Sequence, residues 1–358
     1  MGLGEVRWIL PAVGEHENMY QSATLLAPQL LHGKSLTGGS SQPMELRGLQ
    51  KAAREAEGFL ENLSQETGFS LERSRRGTLL AVYEDESIRR WGDVARKQGQ
   101  LGAKAHLMDP FSAQNVEPAL GRDLAGSVFF PEGFALRRRS LFMALEALLT
   151  RLNVRIDRGV YPLGIETING QVTGLRTRRG TMATNQLIVG EFPDAVSMLS
   201  AVHVRPAVMG KAILQMELAP GSALPAHNIA MRDLLMTTTS NSVAVEWTRP
   251  LPTKENLLTL GDMQDLTATI ARLIPGGRSI PVLATHIKTG TEGRNHLPAV
   301  SHNCRIGGLH YALGAGHWEG IFLSLIPEIF ERKLKGIDPP EWTTPIWCSG
   351  KRASKTEL

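Results

Sequence analysis

The sequence contains little cysteine, with only Cys304 and Cys348 in 358 residues. The two lie far apart and show neither the Cys-x-x-Cys spacing of a redox pair nor the ligand spacing of a zinc site. Isolated cysteines of this kind are typical of a reducing compartment. We therefore expect no disulfide framework and a cytoplasmic protein.

Long apolar runs are also missing. No stretch approaches the roughly 18 consecutive apolar residues that a membrane span needs. The first residues, Met1 to Arg7, do not form a basic segment followed by an apolar one, so they do not read as an export signal. The sequence predicts an unexported protein without a membrane span.

Concentrated positive charge is absent as well. Lysine and arginine total 39 against 35 acidic residues, a net charge of +4, and they are dispersed along the chain. Nucleic-acid binding requires clustered basic residues, so no nucleic-acid partner is predicted. The densest basic spot is the run 137–139, which we interpret as a solvated face without function. His302, His310 and His317 lack the short spacings of metal ligands, so no metal site is predicted.

What the sequence does contain is the material of a globular core, with 42% hydrophobic and 21% charged residues. Gly33 to Gln42 has the composition of a loop, and Pro43 is expected to open a helix that Gly68 ends. The apolar stripe that predicts this helix consists of Leu46, Leu49, Ala53, Ala56, Leu60 and Leu63.

Further along the chain, helical and strand patterns alternate. Thr78 to Val82 reads as a buried strand, and Ser140 as the N-cap of a helix. Ile165 to Arg176 reads as a hairpin whose tip, Asn169-Gly170, is the dipeptide of a type I′ turn. A strand-rich block then follows, so the pattern indicates an α/β layer and a mostly antiparallel sheet that exchange chain more than once.

The most informative segment lies near the C-terminus, where residues 309–322 read as a short strand, a glycine-rich turn and the start of a helix. Glycines at such a turn let backbone N–H groups approach a carbonyl or phosphate oxygen of a ligand.

Several segments together resemble the FAD-dependent D-amino-acid oxidase superfamily, particularly the glycine oxidases of the thiamine pathway. Residues 23–28 are similar to the small-residue flavin loop that ends in Leu-Ala-Pro, and Gly314 to Ile321 is similar to the flavin-contacting turn. Residues 117–133 and 204–214 resemble the crossings between the two domains. The resemblance runs from about Val6 to about Leu334.

The resemblance implies an α/β fold in which a Rossmann-like FAD-binding domain, N-terminally incomplete in this sequence, is interleaved with a mostly antiparallel α+β substrate domain. The expected division is listed here: residues 1–69, 131–200 and 286–340 for the FAD-binding domain, 70–130 and 201–285 for the substrate domain, and 341–358 for a tail.

It also implies an oxidoreductase that binds FAD and removes hydride from a small amine or amino acid, with oxidative deamination as the outcome. Lys288 is expected where the family has an arginine for the substrate carboxylate, and Trp318 is its expected catalytic partner. The expected cofactor-binding residues are Ala23, Thr24, Leu25, Gly190, Gly314, Gly316, His317, Gly320 and Ile321.

Four departures from the family pattern accompany the resemblance. Lysine at 288 keeps a charge but lacks the bidentate fork of arginine. Glu319 stands where a cation is usual, and a carboxylate there would repel an anionic substrate. Glu191 and Glu246 replace small residues expected beside the flavin. Finally, no strand and Gly-x-Gly-x-x-Gly unit precedes the strand at Val6.

These departures leave two further hypotheses open. In one, the chain is a non-catalytic homologue that acts as a subunit or binding module without FAD, in a homo-oligomer or beside an active relative. In the other, it binds a small anion through Lys288 in a former substrate pocket.

Overall fold

The computed structural model describes residues 6–10, 23–37, 45–74, 77–219, 221, 224–238, 243–250, 259–293, 296–302 and 306–346. Pro43, Cys304, Cys348, residues 38–42 of the predicted loop and residues 347–358 of the predicted tail lie outside these described residues.

Eighteen strands occupy the described part of the chain. They are β1 Arg7–Leu10, β2 Ala23–Leu26, β3 Thr78–Val82, β4 His106–Met108, β5 Gly126–Phe130, β6 Phe134–Arg137, β7 Arg155–Arg158, β8 Pro162–Ile168, β9 Gln171–Thr177, β10 Gly180–Ala183, β11 Leu187–Val189, β12 Val208–Leu218, β13 Asn228–Met231, β14 Leu234–Thr238, β15 Val243–Pro250, β16 Val282–Gly293, β17 Ala299–His302 and β18 Leu309–Leu313.

Nine α-helices pack on these strands in the same part of the chain. They are α1 Pro28–Thr37, α2 Leu46–Thr67, α3 Asp85–Gln100, α4 Pro110–Val116, α5 Arg138–Arg151, α6 Ala195–Ala201, α7 Leu260–Leu273, α8 Glu319–Phe322 and α9 Leu325–Leu334.

The dominant feature is an eight-stranded sheet in the order β16-β12-β15-β14-β13-β3-β5-β4. Every pairing in it is antiparallel except that of β13 with β3. One face of β12 buries Leu214 and Met216 against the helix α7. Because side chains alternate along a strand, Lys211, Ile213 and Gln215 lie on the opposite face. The expected mostly antiparallel sheet is confirmed.

The second layer is assembled from smaller sheets. Strands β1 and β7 pair in parallel, β11 pairs in parallel with β18, and β17 adds to β18 antiparallel. Ile9 of β1 packs in the same apolar cluster as Val189 of β11. The two parallel pieces are therefore parts of one α/β layer, as expected of a nucleotide-binding domain. The boundaries assigned to the domains stay a prediction.

The helix predicted from the apolar stripe is confirmed as α2. Its stripe is buried, and Gly68 follows it with a left-handed φ of 73°, donating its N–H to the carbonyl of Ser64. The hairpin is confirmed as β8–β9, since Asn169 and Gly170 have φ values of 50° and 73°, as a type I′ turn requires.

Two local expectations are wrong. The segment Gly33–Thr37 is helical, because a glycine at 33 lets α1 approach the ring of Trp91, where a Cβ would lie 2.2 Å from a ring carbon. Ser140 does not cap a helix: α5 already begins at Arg138, and the Ser140 hydroxyl donates to the carbonyl of Arg137.

No helix among the described residues is long and apolar enough to cross a membrane. A search of the same residues finds no group of histidine, cysteine, aspartate and glutamate side chains arranged to hold a metal ion.

Candidate active site

The small-residue strand β2 meets the glycine-rich turn directly. The hydroxyl of Thr24 accepts a hydrogen bond from the Gly320 N–H at 2.6 Å and donates one to the carbonyl of His317 at 3.2 Å. A Cβ at position 320 would lie 2.7 Å from Leu26 and 2.9 Å from the Thr24 hydroxyl. Glycine at 320 is therefore what lets the turn lie on the strand.

The other glycines of the turn give it its shape. Gly314 has a φ of 78°, and a Cβ there would lie 2.5 Å from the backbone nitrogen of Gly293. Gly316 has a φ of 55°, and no atom lies within 4 Å of the position that its Cβ would take. Gly190, at the end of β11, also faces open space at that position. The backbone at 190 and 316 is thus accessible to a flat group.

Glu191 closes part of the same turn. Its carboxylate accepts hydrogen bonds from the N–H groups of Gly314 at 2.9 Å and Thr291 at 2.8 Å, and from the Thr291 hydroxyl at 2.9 Å. Glu191, which replaces a small residue expected beside the flavin, thus ties β16 to the turn after β18.

Glu246 connects the large sheet to both segments. Its carboxylate accepts from the Ala23 N–H at 3.3 Å, contacts His317 Nδ1 at 2.8 Å and lies 3.5 Å from an Arg138 nitrogen. The Glu246 side chain is only 3% exposed. Burial alone would raise its pKa, but the charges of His317, Lys288 and Arg138 hold the pKa well below its ordinary value.

Arg138 completes this network. Its guanidinium pairs with Glu319 and Glu246 and donates to the Gly316 carbonyl at 3.0 Å. The interpretation of residues 137–139 as a solvated face is therefore wrong for Arg138, whose side chain is 8% exposed. A charge run at a helix start looks the same in the sequence whether it faces water or a buried carboxylate. The pairing also neutralises Glu319, which the sequence left as an uncompensated carboxylate.

Lys288 lies beside this network on β16. Burial and the charge of Arg138 lower its pKa to about 8, although Glu246, Glu319 and Glu191 act in the opposite direction. Its register partner on β12 is Ile213, whose other neighbour is Thr248. Lys288 and Thr248 therefore flank Ile213 on the same face of the large sheet. The role of Lys288 as the carboxylate partner stays a prediction.

A small open cleft of about 30 Å³ lies next to the turn. Its floor is apolar and buried, with Leu25, Ala230, Leu235 and Trp318 each 5% exposed or less. The polar residues around it are Lys34, Lys211, Arg232, Asp233, Thr248, Glu292, His296 and His317.

The cleft combines an apolar floor with several polar groups, a kind of lining that small-molecule sites share. Leu25, His317 and Trp318 were predicted from the sequence and line it, whereas Lys288 does not. Lys34, Lys211, Glu292 and His296 were missed. The sequence offers no local signal for them, because they come from α1, from β12, and from the end of β16 and the segment after it, and they meet only in the folded chain.

The other predicted residues are placed as follows. Ala23, Thr24 and Ile321 are buried at 1% exposure or less, where the strand and the turn meet. Lys34, which was not predicted, lies with its ammonium 5.8 Å from the centre of the Trp318 ring. The structure thus brings the predicted residues of β2 and of the turn together. Their assignment to a cofactor stays a prediction.

Comparison with known proteins gives a consistent result. The family model described as DAO, FAD dependent oxidoreductase, matches residues 13–324. Glycine oxidase from Geobacillus kaustophilus has a similar structure, with a TM-score of 0.78 and 15% identity over 92% of this chain and 88% of that one. Iminodiacetate oxidase from a Chelativorans species gives a TM-score of 0.76 and 14% identity over 96% of this chain and 92% of that one.

Among curated proteins, the bifunctional protein ThiO/ThiG of a Nostoc species is 24% identical over 113 residues. The matched stretch is 32% of this chain and 17% of that protein. The structural likenesses, at such low identity, show a shared fold, and they confirm the predicted α/β architecture.

Proposed function

Because this chain belongs to the DAO family of FAD-dependent oxidoreductases, we propose that it oxidises a small amine or amino acid, with FAD as its cofactor. The observation that carries the proposal is the position of the cleft. Leu25, His317 and Trp318 of its lining come from β2 and the glycine-rich turn, the two segments expected to contact a flavin. A substrate in the cleft would therefore lie against the cofactor-binding segments.

Two of the predicted residues leave room for a planar ring. Gly190 and Gly316 both leave open space beside their backbones, which a planar group can fill and a side chain would block. Ala23, Thr24 and Leu25 supply a flat buried strand beside the turn. We propose that Gly190 and Gly316 face the ring, and that the buried or partly buried residues beside them support this backbone: Ala23, Thr24, Leu25, Gly314, His317, Gly320 and Ile321. FAD, when bound, would accept from the substrate carbon a hydride, which carries the two electrons of the oxidation.

The protein's own contribution is positioning and exclusion of water. The apolar floor at Leu25, Ala230 and Trp318 removes water from one side of the substrate, which strengthens electrostatic contacts to it. The network around Glu246 and Arg138 holds the turn against the large sheet, which keeps the cleft in place. Oxidation of the amine to an imine, followed by hydrolysis, would release ammonia and a carbonyl product.

The proposal also covers the cellular compartment and the oligomeric state of the enzyme. We place the enzyme in the cytoplasm, because two isolated cysteines are typical of a reducing compartment. Assembly with further copies or with an active relative is compatible with this function and is tested by the mass of the purified protein in solution.

The test is a near-ultraviolet and visible spectrum of the purified full chain, before and after incubation with excess FAD. We expect a two-peaked flavin spectrum, and peroxide or reduction of an artificial electron acceptor when glycine, sarcosine or D-alanine is added. A protein that takes up no FAD would contradict the proposed function.

A matched pair of variants tests the position of the ring. Gly190→Val fills the open space at the end of β11 and should abolish FAD uptake without loss of folding. Gly58→Val on α2, where the Cβ position is equally open, should leave FAD uptake unchanged. Equal FAD affinity in the two variants would exclude Gly190 from the site.

A further inference from the structure

A row of polar residues crosses the large sheet beside the cleft. Gln215 of β12 is the register partner of Glu246 on β15 and of His286 on β16. Register partners lie on the same face of a sheet, so the three side chains leave the sheet on one side. On that side, the Glu246 carboxylate accepts from the Ala23 N–H and contacts His317. The row therefore faces the strand β2 and the glycine-rich turn.

This row continues the wall of the cleft. Thr248 lines the cleft and lies two residues from Glu246 on β15, a spacing of about 7 Å along a strand. The ring of His317 also lines the cleft and spans the two positions. Its Nε2 lies 3.1 Å from the Thr248 hydroxyl, and its Nδ1 lies 2.8 Å from the Glu246 carboxylate. The row is therefore the inner end of the cleft wall.

The amide of Gln215 is buried in this row without a hydrogen bond. The residue is 3% exposed, and neither Nε2 nor Oε1 has a partner among the described residues. Exchanging the two ends of the amide does not change this result, because both ends lack a partner. The Nε2 atom of the neighbouring His286 is also buried and has no partner in the described part of the chain.

Two such groups side by side are uncommon in a folded protein. Most buried polar side-chain atoms are hydrogen-bonded, since burial without a partner destabilises the folded state. The two other buried glutamines of the described chain each donate a hydrogen bond. Gln29 donates to Glu132 at 2.6 Å, and Gln98 donates to the carbonyl of Gln29 at 2.8 Å. The exception at Gln215, next to a cleft, indicates that a ligand completes its hydrogen bonds.

The donors and acceptors of this pair define the ligand. A glutamine amide donates through its nitrogen and accepts through its oxygen. A carboxylate only accepts and would leave Oε1 of Gln215 unpaired, whereas an ammonium only donates and would leave Nε2 unpaired. A carboxamide presents an N–H beside a C=O and pairs with both atoms. Its remaining N–H or lone pair suits His286 Nε2 in either tautomer, and it adds no charge beside the buried Glu246.

We propose that Gln215 and His286 form a hydrogen-bonding subsite at the inner end of the cleft, and that this subsite binds a carboxamide of the substrate. The inference rests on the proposed function and adds a substrate class to it, namely small amines that carry a primary amide. The two residues position the substrate and take no part in the transfer of hydride.

The first test needs no ligand. Gln215→Leu replaces an unpaired amide by an apolar side chain of similar size and should raise the thermal midpoint of the full chain by about 1 °C or more. Gln98→Leu is the matched control, because it removes an equally buried amide that donates a hydrogen bond, and it should lower the midpoint. A midpoint lowered equally by the two variants would mean that ordered water pairs with Gln215, and would overturn the proposal.

The second test measures binding directly. Acetamide carries the proposed group, has no amine to be oxidised and matches acetate in size. Saturation-transfer NMR on the purified full chain, incubated with FAD, should detect acetamide binding. This binding should weaken about tenfold or more in Gln215→Leu and in His286→Leu, because each removes hydrogen bonds. Gln98→Leu should retain it. Absence of acetamide binding to the wild-type protein overturns the proposal, whether or not the variants fold.

Turnover then tests the substrate class. Glycinamide and 3-aminopropanamide should be oxidised with a higher kcat/KM than the matching acids, glycine and 3-aminopropanoate. Gln215→Leu should lower kcat/KM about tenfold for the amides and less than about twofold for the acids, since only the amides use the subsite. Equal losses for amides and acids would show that Gln215 only supports the fold, and would overturn the proposal.

Two outcomes separate this inference from the proposed function. A protein that binds acetamide through Gln215 but oxidises no amine would contradict the oxidase and leave the amide subsite standing. A protein that oxidises glycine but does not bind acetamide would contradict the subsite and leave the oxidase standing.

Discussion

Replacement of Glu246 by a residue of the same size should lower the free energy of unfolding, because its buried carboxylate contacts both Arg138 and His317. Glu246→Gln preserves size and can still accept from the Ala23 N–H, but it removes the negative charge between Arg138 and His317. Breaking a buried ion pair by removing one partner typically costs about 3 to 5 kcal/mol. Because Arg138 keeps Glu319 as a second partner, we expect the low end, about 3 kcal/mol.

The assay is thermal unfolding of the purified protein. For a chain of 358 residues, an unfolding entropy of about 2.1 cal/mol/K per residue converts a loss of 3 kcal/mol into a midpoint lowered by about 4 °C. Glu86→Gln on α3 is the control, because its pair with Arg90 is exposed and should contribute less than about 1 kcal/mol.

A double variant decides whether the loss comes from the pair. Arg138→Met and Glu246→Gln should be strongly non-additive, since residues in one charge network couple by about 0.5 to 3 kcal/mol. A midpoint for Glu246→Gln that matches the Glu86→Gln control, or additive effects in the double variant, would refute the reasoning. Reduced FAD uptake in Glu246→Gln would link the network to the position of the turn.

Further predictions concern how low pH and side-chain packing affect the stability of the folded protein. Burial alone would raise the pKa of Glu292, but hydrogen bonds and charges from its partners lower the pKa to about 2, so its contribution of about 3 kcal/mol is present above about pH 4.5 and is lost as the pH falls towards 2. The difference in urea-unfolding free energy between the wild-type protein and Glu292→Gln should therefore narrow over that range, and a constant difference would contradict it. Gly33→Ala should lower the thermal midpoint, because the new methyl group would overlap the Trp91 ring and overpacking costs about 1 to 3 kcal/mol. In the control Gly58→Ala the new methyl group meets no atom within 4 Å, so this variant should raise the thermal midpoint by the equivalent of about 0.4 to 1 kcal/mol. If Gly33→Ala and Gly58→Ala have the same thermal midpoint, contact with Trp91 does not determine the effect at position 33.

The sequence predicted those helices and turns whose formation depends on residues close together in the chain. The stripe of α2 with Gly68 after it, and the Asn169-Gly170 hairpin, follow from side-chain period and from the conformations that glycine allows. The helix through Gly33 was missed because a glycine favours a loop unless a neighbour demands its small size. That neighbour, Trp91, lies far along the chain.

Part of the candidate site could likewise be predicted from the sequence. The small-residue strand at Ala23 and the turn at Gly316 are visible as composition, so they were found. The lysines of the cleft were not, because neither Lys34 nor Lys211 differs in its local context from a surface lysine. Only tertiary packing brings the helix α1 and the strand β12 to the same cleft, and no spacing in the sequence encodes that encounter.

The parallel pairing of β13 with β3 bears on how the protein assembles during synthesis. It joins Ala230 to Leu80, about 150 residues earlier in the chain. Until β13 leaves the ribosome, β3 has one open edge and the wholly buried Leu79 lacks part of its cover. Long-range pairing of this kind is slow, and an open strand edge invites association with other chains. The nascent chain should therefore expose this strand edge while the roughly 150 residues between β3 and β13 are synthesised.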